Sequence, residues 1–416
     1  MSTPVHPYAF APAMREPQGS PIRELFPYMS LPGMISFAGG YPSPASFDAG
    51  ALQDAAARVM ASDPAQCLQY GPTEGMPALR RELSALMAGR GAPLQPEQIV
   101  VTSGSQQGFE LLVQAFVAPG TPVWVETPTY PAAVQALRLA GAAVRGIPSD
   151  QDGVCVQTLA AMLADCREEE RPRLLYLVPT FANPSGRTLA LERRRALLAL
   201  AAQHRIVVVE DDPYGSLRFD GEPLPSLLSL AAQDPALTPW VIYLGSFSKT
   251  MAPGLRLGWM AGPAEILRRA VIAKQVSDLC TSPWLQLAMA TCLADGLLAR
   301  QTARIIDLYR HKRDLMVRAL ADAFGSTLRG ETPQGGMFLW CEIEGVADAA
   351  SLLPHAIAAR VMYVPGASFS VDGQRSGALR LSFATASDEQ IVQGVERLAQ
   401  AVRASQGGAA AAAAAG

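Results

Sequence analysis

Lysine is almost missing from this chain: of its 34 basic residues, only Lys249, Lys274 and Lys312 are lysines. Histidine is nearly as scarce, and four scattered imidazoles argue against a metal centre. The six cysteines (67, 155, 166, 280, 292 and 341) show no C-x-x-C and no paired spacing. That excludes a disulfide framework and reads as reduced thiols in a cytoplasmic protein. No excess of charge stands out either. A net charge of −3 spread along the chain gives no electrostatic reason to bind nucleic acid. No apolar run reaches the ~18 residues of a membrane span. The proline-rich first twenty residues lack the apolar stretch of a secretory signal.

What is present is core-forming material. With 49% apolar and 17% charged residues, a chain of 416 can fill two domains, or one large α/β domain with a satellite. From about residue 98 to 262 one pattern repeats: a short β-branched run, a polar or glycine-containing turn, then usually an amphipathic stretch. The runs are 98–102, 122–125, 142–147, 174–178, 206–209, 241–244 and 257–261. They predict a mainly parallel sheet covered by helices on both faces.

After about residue 263 the pattern changes. A helical period over 303–324 is followed by strands at 337–340 and 378–383, as in a smaller α+β domain. In the last of these Leu379, Leu381 and Phe383 share one face, and Arg380 and Ser382 the other. The expected organisation is an N-terminal arm with a lid helix (1–45) belonging to the smaller domain, a large domain (46–295) and a C-terminal small domain (296–405). A low-complexity alanine tail (406–416) is expected to fray.

Parallel α/β sheets bind ligands beyond the carboxyl ends of their strands. Five strand ends here carry chemistry. The first leads into Thr102-Ser103-Gly104-Ser105-Gln106-Gln107 at a helix start, where free N–H groups favour an anion such as phosphate. A plain serine N-cap reads from the same residues. The second ends before Tyr130, the fourth leads to Asn183, and the fifth ends in Asp211-Asp212-Pro213-Tyr214. A carboxylate just past an apolar strand needs a cation or several donors; a protonated pyridine nitrogen would serve, and so would a solvated turn. The sixth ends in Ser246-Phe247-Ser248-Lys249, with Arg256 seven residues on. A lysine amine can form an imine, which a guanidinium cannot. Lys274 and Lys312 have no such neighbours in sequence. Arg380 reads either as an exposed strand arginine or as a fork for a carboxylate.

This ordered set, with Gly39-Gly40-Tyr41-Pro42, Gln69-Tyr70-Gly71 and Asn183-Pro184-Ser185-Gly186, resembles the fold type I pyridoxal-phosphate enzymes of the aspartate aminotransferase superfamily. It is more closely similar to the branch of 2-aminoadipate and kynurenine aminotransferases. The resemblance implies pyridoxal 5'-phosphate as cofactor and transfer of an amino group from an L-amino acid to a 2-oxo acid such as 2-oxoglutarate. It implies that Lys249 carries the cofactor as an aldimine and shuttles the proton. Asp211 would pair with the ring nitrogen, Asn183 and Tyr214 would bond the phenolic oxygen, and Tyr130 would stack on the ring. Ser105, Gln106, Ser246, Ser248 and Arg256 would hold the phosphate, joined by Tyr70 from the other subunit of a homodimer. Arg380 and the Gly40 backbone would bind the substrate α-carboxylate. Arg23, in a lid helix around 21–28, would read a side-chain carboxylate or else pair at the surface. A β-eliminating lyase on the same scaffold stays open. So does a non-catalytic regulator domain, although the pattern starts near Ser20 and leaves no room for a DNA-binding module.

Overall fold

The computed structural model describes residues 8–17 and 19–415, with side chains as far as Gly407. Its strands, in chain order, are β1 (Ile35–Ser36), β2 (Ile99–Thr102), β3 (Pro122–Thr127), β4 (Ala143–Asp150), β5 (Gly153–Val154), β6 (Leu174–Leu177) and β7 (Val207–Asp212). They continue with β8 (Val241–Ser246), β9 (Gly258–Ala261), β10 (Leu328–Gly330), β11 (Phe338–Ile343), β12 (Val361–Met362), β13 (Val364–Pro365) and β14 (Ala378–Ser382).

The main sheet has the order β2-β9-β8-β7-β6-β3-β4-β5. The block β8-β7-β6-β3-β4 is parallel throughout, while β9 runs antiparallel to both β2 and β8. Strands β2, β6, β8 and β9 are buried at every residue, because helices cover both faces and leave no solvated side. Alternate residues feed two cores: Val100, Val125, Tyr176, Val209 and Leu244 on one face, and Val101, Trp124, Leu175, Val208 and Tyr243 on the other.

A second, antiparallel sheet has the order β10-β11-β14-β13. The strand β1 pairs with β12 in parallel, so the N-terminal segment is stitched to the C-terminal part of the chain. Two expectations are corrected, and the open reading of Arg380 is narrowed. The helix read at 303–324 begins six residues earlier, at Leu297, after Gly296 in a left-handed conformation. The alanine tail continues the helix Asp388–Ala415 instead of fraying, since alanine has the highest helix propensity and extends a helix already nucleated upstream. The strand β14 has no solvated face: all five of its residues are buried. No described helix is long and apolar enough to cross a membrane.

Candidate active site

The carboxyl ends of β2, β3, β6, β7 and β8 lie along one edge of the sheet, and the antiparallel β9 starts there. Ser246 and Thr102 both pair with Gly258, which brings Arg256 to the same edge although it precedes its strand. A Cβ at Gly258 would come within 2.8 Å of the Ser105 nitrogen. Only glycine lets β9 begin directly beneath the turn that opens the helix Ser105–Phe116. At that turn Gly104 has φ +87°, and its Cα faces the Arg256 guanidinium. Arg256 Nη2 donates to the Ser103 carbonyl (3.0 Å). The free N–H groups of Ser105 and Gln106 thus lie beside a guanidinium. Ser246, buried, accepts from the Ser248 N–H (3.1 Å).

Alternation along β7 sorts its three acids. Glu210 and Asp212 face one way and Asp211 the other. Glu210 accepts from the N–H groups of Leu227 and Leu228 (2.9 Å each), and Asp212 accepts from Gly215 N–H and the Tyr243 hydroxyl (2.8 Å each). Both fix the strand end while Asp211 turns into the site. Asp211 Oδ2 accepts from the Tyr176 hydroxyl at 2.7 Å; Oδ1 is buried with no hydrogen-bond partner. Burial pushes the Asp211 carboxyl up to about 6, against the donor Tyr176 and the nearby Ser105 and Lys249.

The Lys249 amine donates to the Gly40 carbonyl (3.0 Å). Burial pushes it down to about 8, and the charges of Arg380 and Arg256 press the same way. Arg380 is 1% exposed. It donates through Nη1 to Asn183 Oδ1 (2.9 Å) and through Nη2 to the Ala38 carbonyl. The rings of Phe338 and Phe369 lie 4.4 and 5.0 Å from its guanidinium carbon. Desolvation lowers even this group to about 10. Tyr214 is buried edge-on to Phe338 (5.7 Å), next to Asn183. Burial and then Asp211 raise the Tyr130 hydroxyl, while Arg380, Arg256 and Arg23 oppose the rise.

Two sequence-predicted residues are not drawn into this cluster. Tyr70 is 77% exposed. Arg23 is exposed in the short turn Arg23–Leu25, although its charge is felt at Tyr130. Three contributors escaped the sequence reading. Tyr176 sits among leucines in β6 with no local signal, and Phe369 reaches Arg380 only through tertiary packing. The third is Lys274, fully buried, which donates to Asp278 (2.7 Å), Thr281 (3.0 Å) and Gln107 (3.1 Å). Asp278 also accepts from Ser103 (3.1 Å), so this network braces the Ser103–Gly104 turn from behind. The third lysine, Lys312, donates to the carbonyls of Ala384 and Ala386 (3.1 and 2.7 Å). Arginine carries the ordinary surface charge, and all three lysines are interior fittings.

Two unmet atoms test what belongs here. Asp211 Oδ1 is a buried acceptor without a donor, and Arg380 Nε a buried donor without an acceptor. Each is costly unless a bound molecule answers it. A protonated pyridine nitrogen suits the first and a carboxylate the second, with an amine and an anion cradle between them. Fold and site together define a pyridoxal-phosphate-dependent enzyme of fold type I. The family model for aminotransferase class I and II matches residues 38–398, and the chain belongs to that family. It is an aminotransferase with pyridoxal phosphate as cofactor. The chain is 39% identical over 395 residues to the 2-aminoadipate transaminase of Thermus thermophilus, covering 95% of this chain and 96% of that one. It is 37% identical over 388 residues to aromatic-amino-acid aminotransferase 1 of Thermococcus litoralis, covering 93% and 92%. The kynurenine aminotransferase of Pyrococcus horikoshii, solved with PMP, superposes with a TM-score of 0.90 at 36% identity, covering 95% of this chain and 97% of that one.

Proposed function

We propose that this aminotransferase takes its amino group from an L-amino acid with an acidic or aromatic side chain and delivers it to 2-oxoglutarate. The observation that carries this reading is the desolvated fork of Arg380 inside the cluster; Arg23, exposed on the arm but with its charge felt at Tyr130, is the candidate reader of a second carboxylate. Pyridoxal phosphate, when bound, supplies an electrophilic carbonyl carbon and a ring that accepts the electron pair left by the departing α-proton.

The chain's own residues do the rest. The Ser105 and Gln106 N–H groups, the hydroxyls of Ser246 and Ser248, and Arg256 hold the phosphate. Asp211 would pair through Oδ1 with the ring nitrogen, Asn183 and Tyr214 would bond the phenolic oxygen, and Tyr130 would cover one ring face. Arg380 grips the α-carboxylate beside the Gly40 backbone, which fixes the Cα–H toward Lys249. The Lys249 amine would hold the cofactor and, once freed by the substrate amine, would take the α-proton and return it. An amine pushed down to about 8 is far more available as a base near neutral pH than an ordinary lysine.

Arg23 reads a side-chain carboxylate, and Phe26, exposed and 6.3 Å from Tyr41, offers an apolar surface for aromatic donors. The names of the relatives support the same two side-chain classes. A donor screen with 2-oxoglutarate tests the whole reading: glutamate must form with 2-aminoadipate and with an aromatic donor. Pyruvate with ammonia, and no glutamate, would mark a β-eliminating lyase instead. Arg23→Ala should raise KM for 2-aminoadipate about tenfold and leave aromatic donors nearly unchanged. An equal loss for both classes would remove Arg23 from specificity.

The active unit is a homodimer that carries Tyr70 to the neighbouring site. Leu68 and Val276 are 75% and 86% exposed, and Gly71 packs on Pro283 at the start of the helix that bears exposed Trp284. Exposed apolar side chains near Tyr70 suit a subunit contact. Sedimentation should give twice the chain mass, and Tyr70→Phe should weaken cofactor binding; a monomer with full activity would refute both. The six unpaired cysteines support a cytoplasmic location.

A further inference from the structure

We propose that Tyr176 is a positioning residue for the reaction: its hydroxyl holds Asp211 by Oδ2 so that Oδ1 remains presented, and charged, toward the cofactor ring. The inference deepens the reading of Asp211 given above and rests on it.

Tyr176 is 1% exposed in β6 between Leu175 and Leu177. A phenylalanine would fill that space, and a hydroxyl in so dry a place is tolerated only with a partner. Its partner is Asp211 Oδ2, at 2.7 Å. The reach is set by the sheet. Tyr176 is paired with Val209 on the adjacent parallel strand, so its hydroxyl extends two residues along β7 to Asp211. Phe109, in the helix that opens at the anion cradle, packs on the Tyr176 ring at 4.7 Å and fixes its tilt.

The remaining groups leave this job to Tyr176. Oδ1 makes no hydrogen bond of ordinary geometry; the Ser105 side chain also favours the ionised carboxyl, but less than Tyr176 does, so Tyr176 is the main side-chain donor to it. Asp212 is occupied by Gly215 and Tyr243 on the other face of the strand. Glu126, the other buried acid close by, accepts from the Val178 N–H (2.7 Å). Burial pushes it up to about 8, so it stays protonated at neutral pH and adds no second charge. Burial and the Asp211 charge raise the Tyr176 phenol well above its usual range, which keeps it a donor at every working pH. A donated hydrogen bond lowers the proton affinity of the carboxylate, and the shared proton then stays on the ring nitrogen.

The test uses holoenzyme loaded with cofactor labelled with 15N in the ring. The wild-type resonance should lie at the protonated position. Tyr176→Phe should move it toward the unprotonated position and raise the cofactor dissociation constant about tenfold. A 3-fluorotyrosine at position 176, a stronger donor of nearly the same shape, should hold the resonance at the protonated position to a higher pH than in wild type, and Tyr176→Phe to a lower one. If Tyr176→Phe does not fold, the fluorinated protein decides alone. A resonance whose pH dependence neither change shifts overturns the proposal while leaving Asp211 in its role. A resonance that Asp211→Asn also fails to move overturns both.

Discussion

Lys249→Ala should abolish transamination, with turnover at least roughly 10⁴-fold below wild type, and should remove the visible absorbance of the lysine-linked cofactor. Lys249→Arg should fail equally, because a guanidinium stays protonated and is not a nucleophile. Neither variant should unfold. The Lys249 amine is desolvated, sits near the charges of Arg380 and Arg256, and donates a single hydrogen bond to Gly40, so its removal takes away more repulsion than attraction. The melting temperature of the apo-protein should hold or rise. Two measurements decide: an absorbance spectrum of protein plus cofactor, and glutamate formation in the donor screen. Retention of either signal would remove Lys249 from the chemistry.

Asp211→Ala should leave a folded protein that binds the cofactor more weakly and removes the α-proton roughly 10²–10³-fold more slowly, the usual penalty for losing a preorganised charge at a developing one. The pH dependence of the apo-protein gives an independent check. Burial raises this carboxyl from 3.8 to about 6. The folded state therefore holds the proton more tightly, and the stabilisation present below the unfolded value is lost as pH rises through about 6. The ionised form costs the apo-protein roughly 3 kcal/mol above that window. The stability gap between wild type and Asp211→Ala should therefore shift in favour of the variant as pH rises from about 4 to 6. Against this, the variant leaves the Tyr176 hydroxyl without its acceptor, worth about 1–3 kcal/mol. Unchanged turnover would refute the role assigned to Asp211, and a stability gap that is flat with pH would refute its buried ionisation.

How much of this was legible before folding depends on the range of each signal. Lys249, Asp211 and the Ser105–Gln106 turn each follow directly on a β-branched run, so a local pattern places them at strand ends. Parallel connection then sends those ends to one edge. Arg380 was visible as a strand arginine, but its burial was not, because Phe338, Phe369 and Asn183 come from distant segments to enclose it. Lys274 sits near Gln107 only because the helix Ala264–Ser277 packs on the helix Ser105–Phe116.

The amino-acid sequence alone determined the periodicity of the strands and helices, the residue types at the strand ends and the rarity of lysine, all of which are properties of neighbours along the chain. The tertiary structure decided the strand order. It reversed β9 so that Arg256 meets the cradle, and it placed β6 beside β7 so that Tyr176 reaches Asp211. The reason is physical: alternation along a strand records which face is buried, but it does not record which strand will lie alongside.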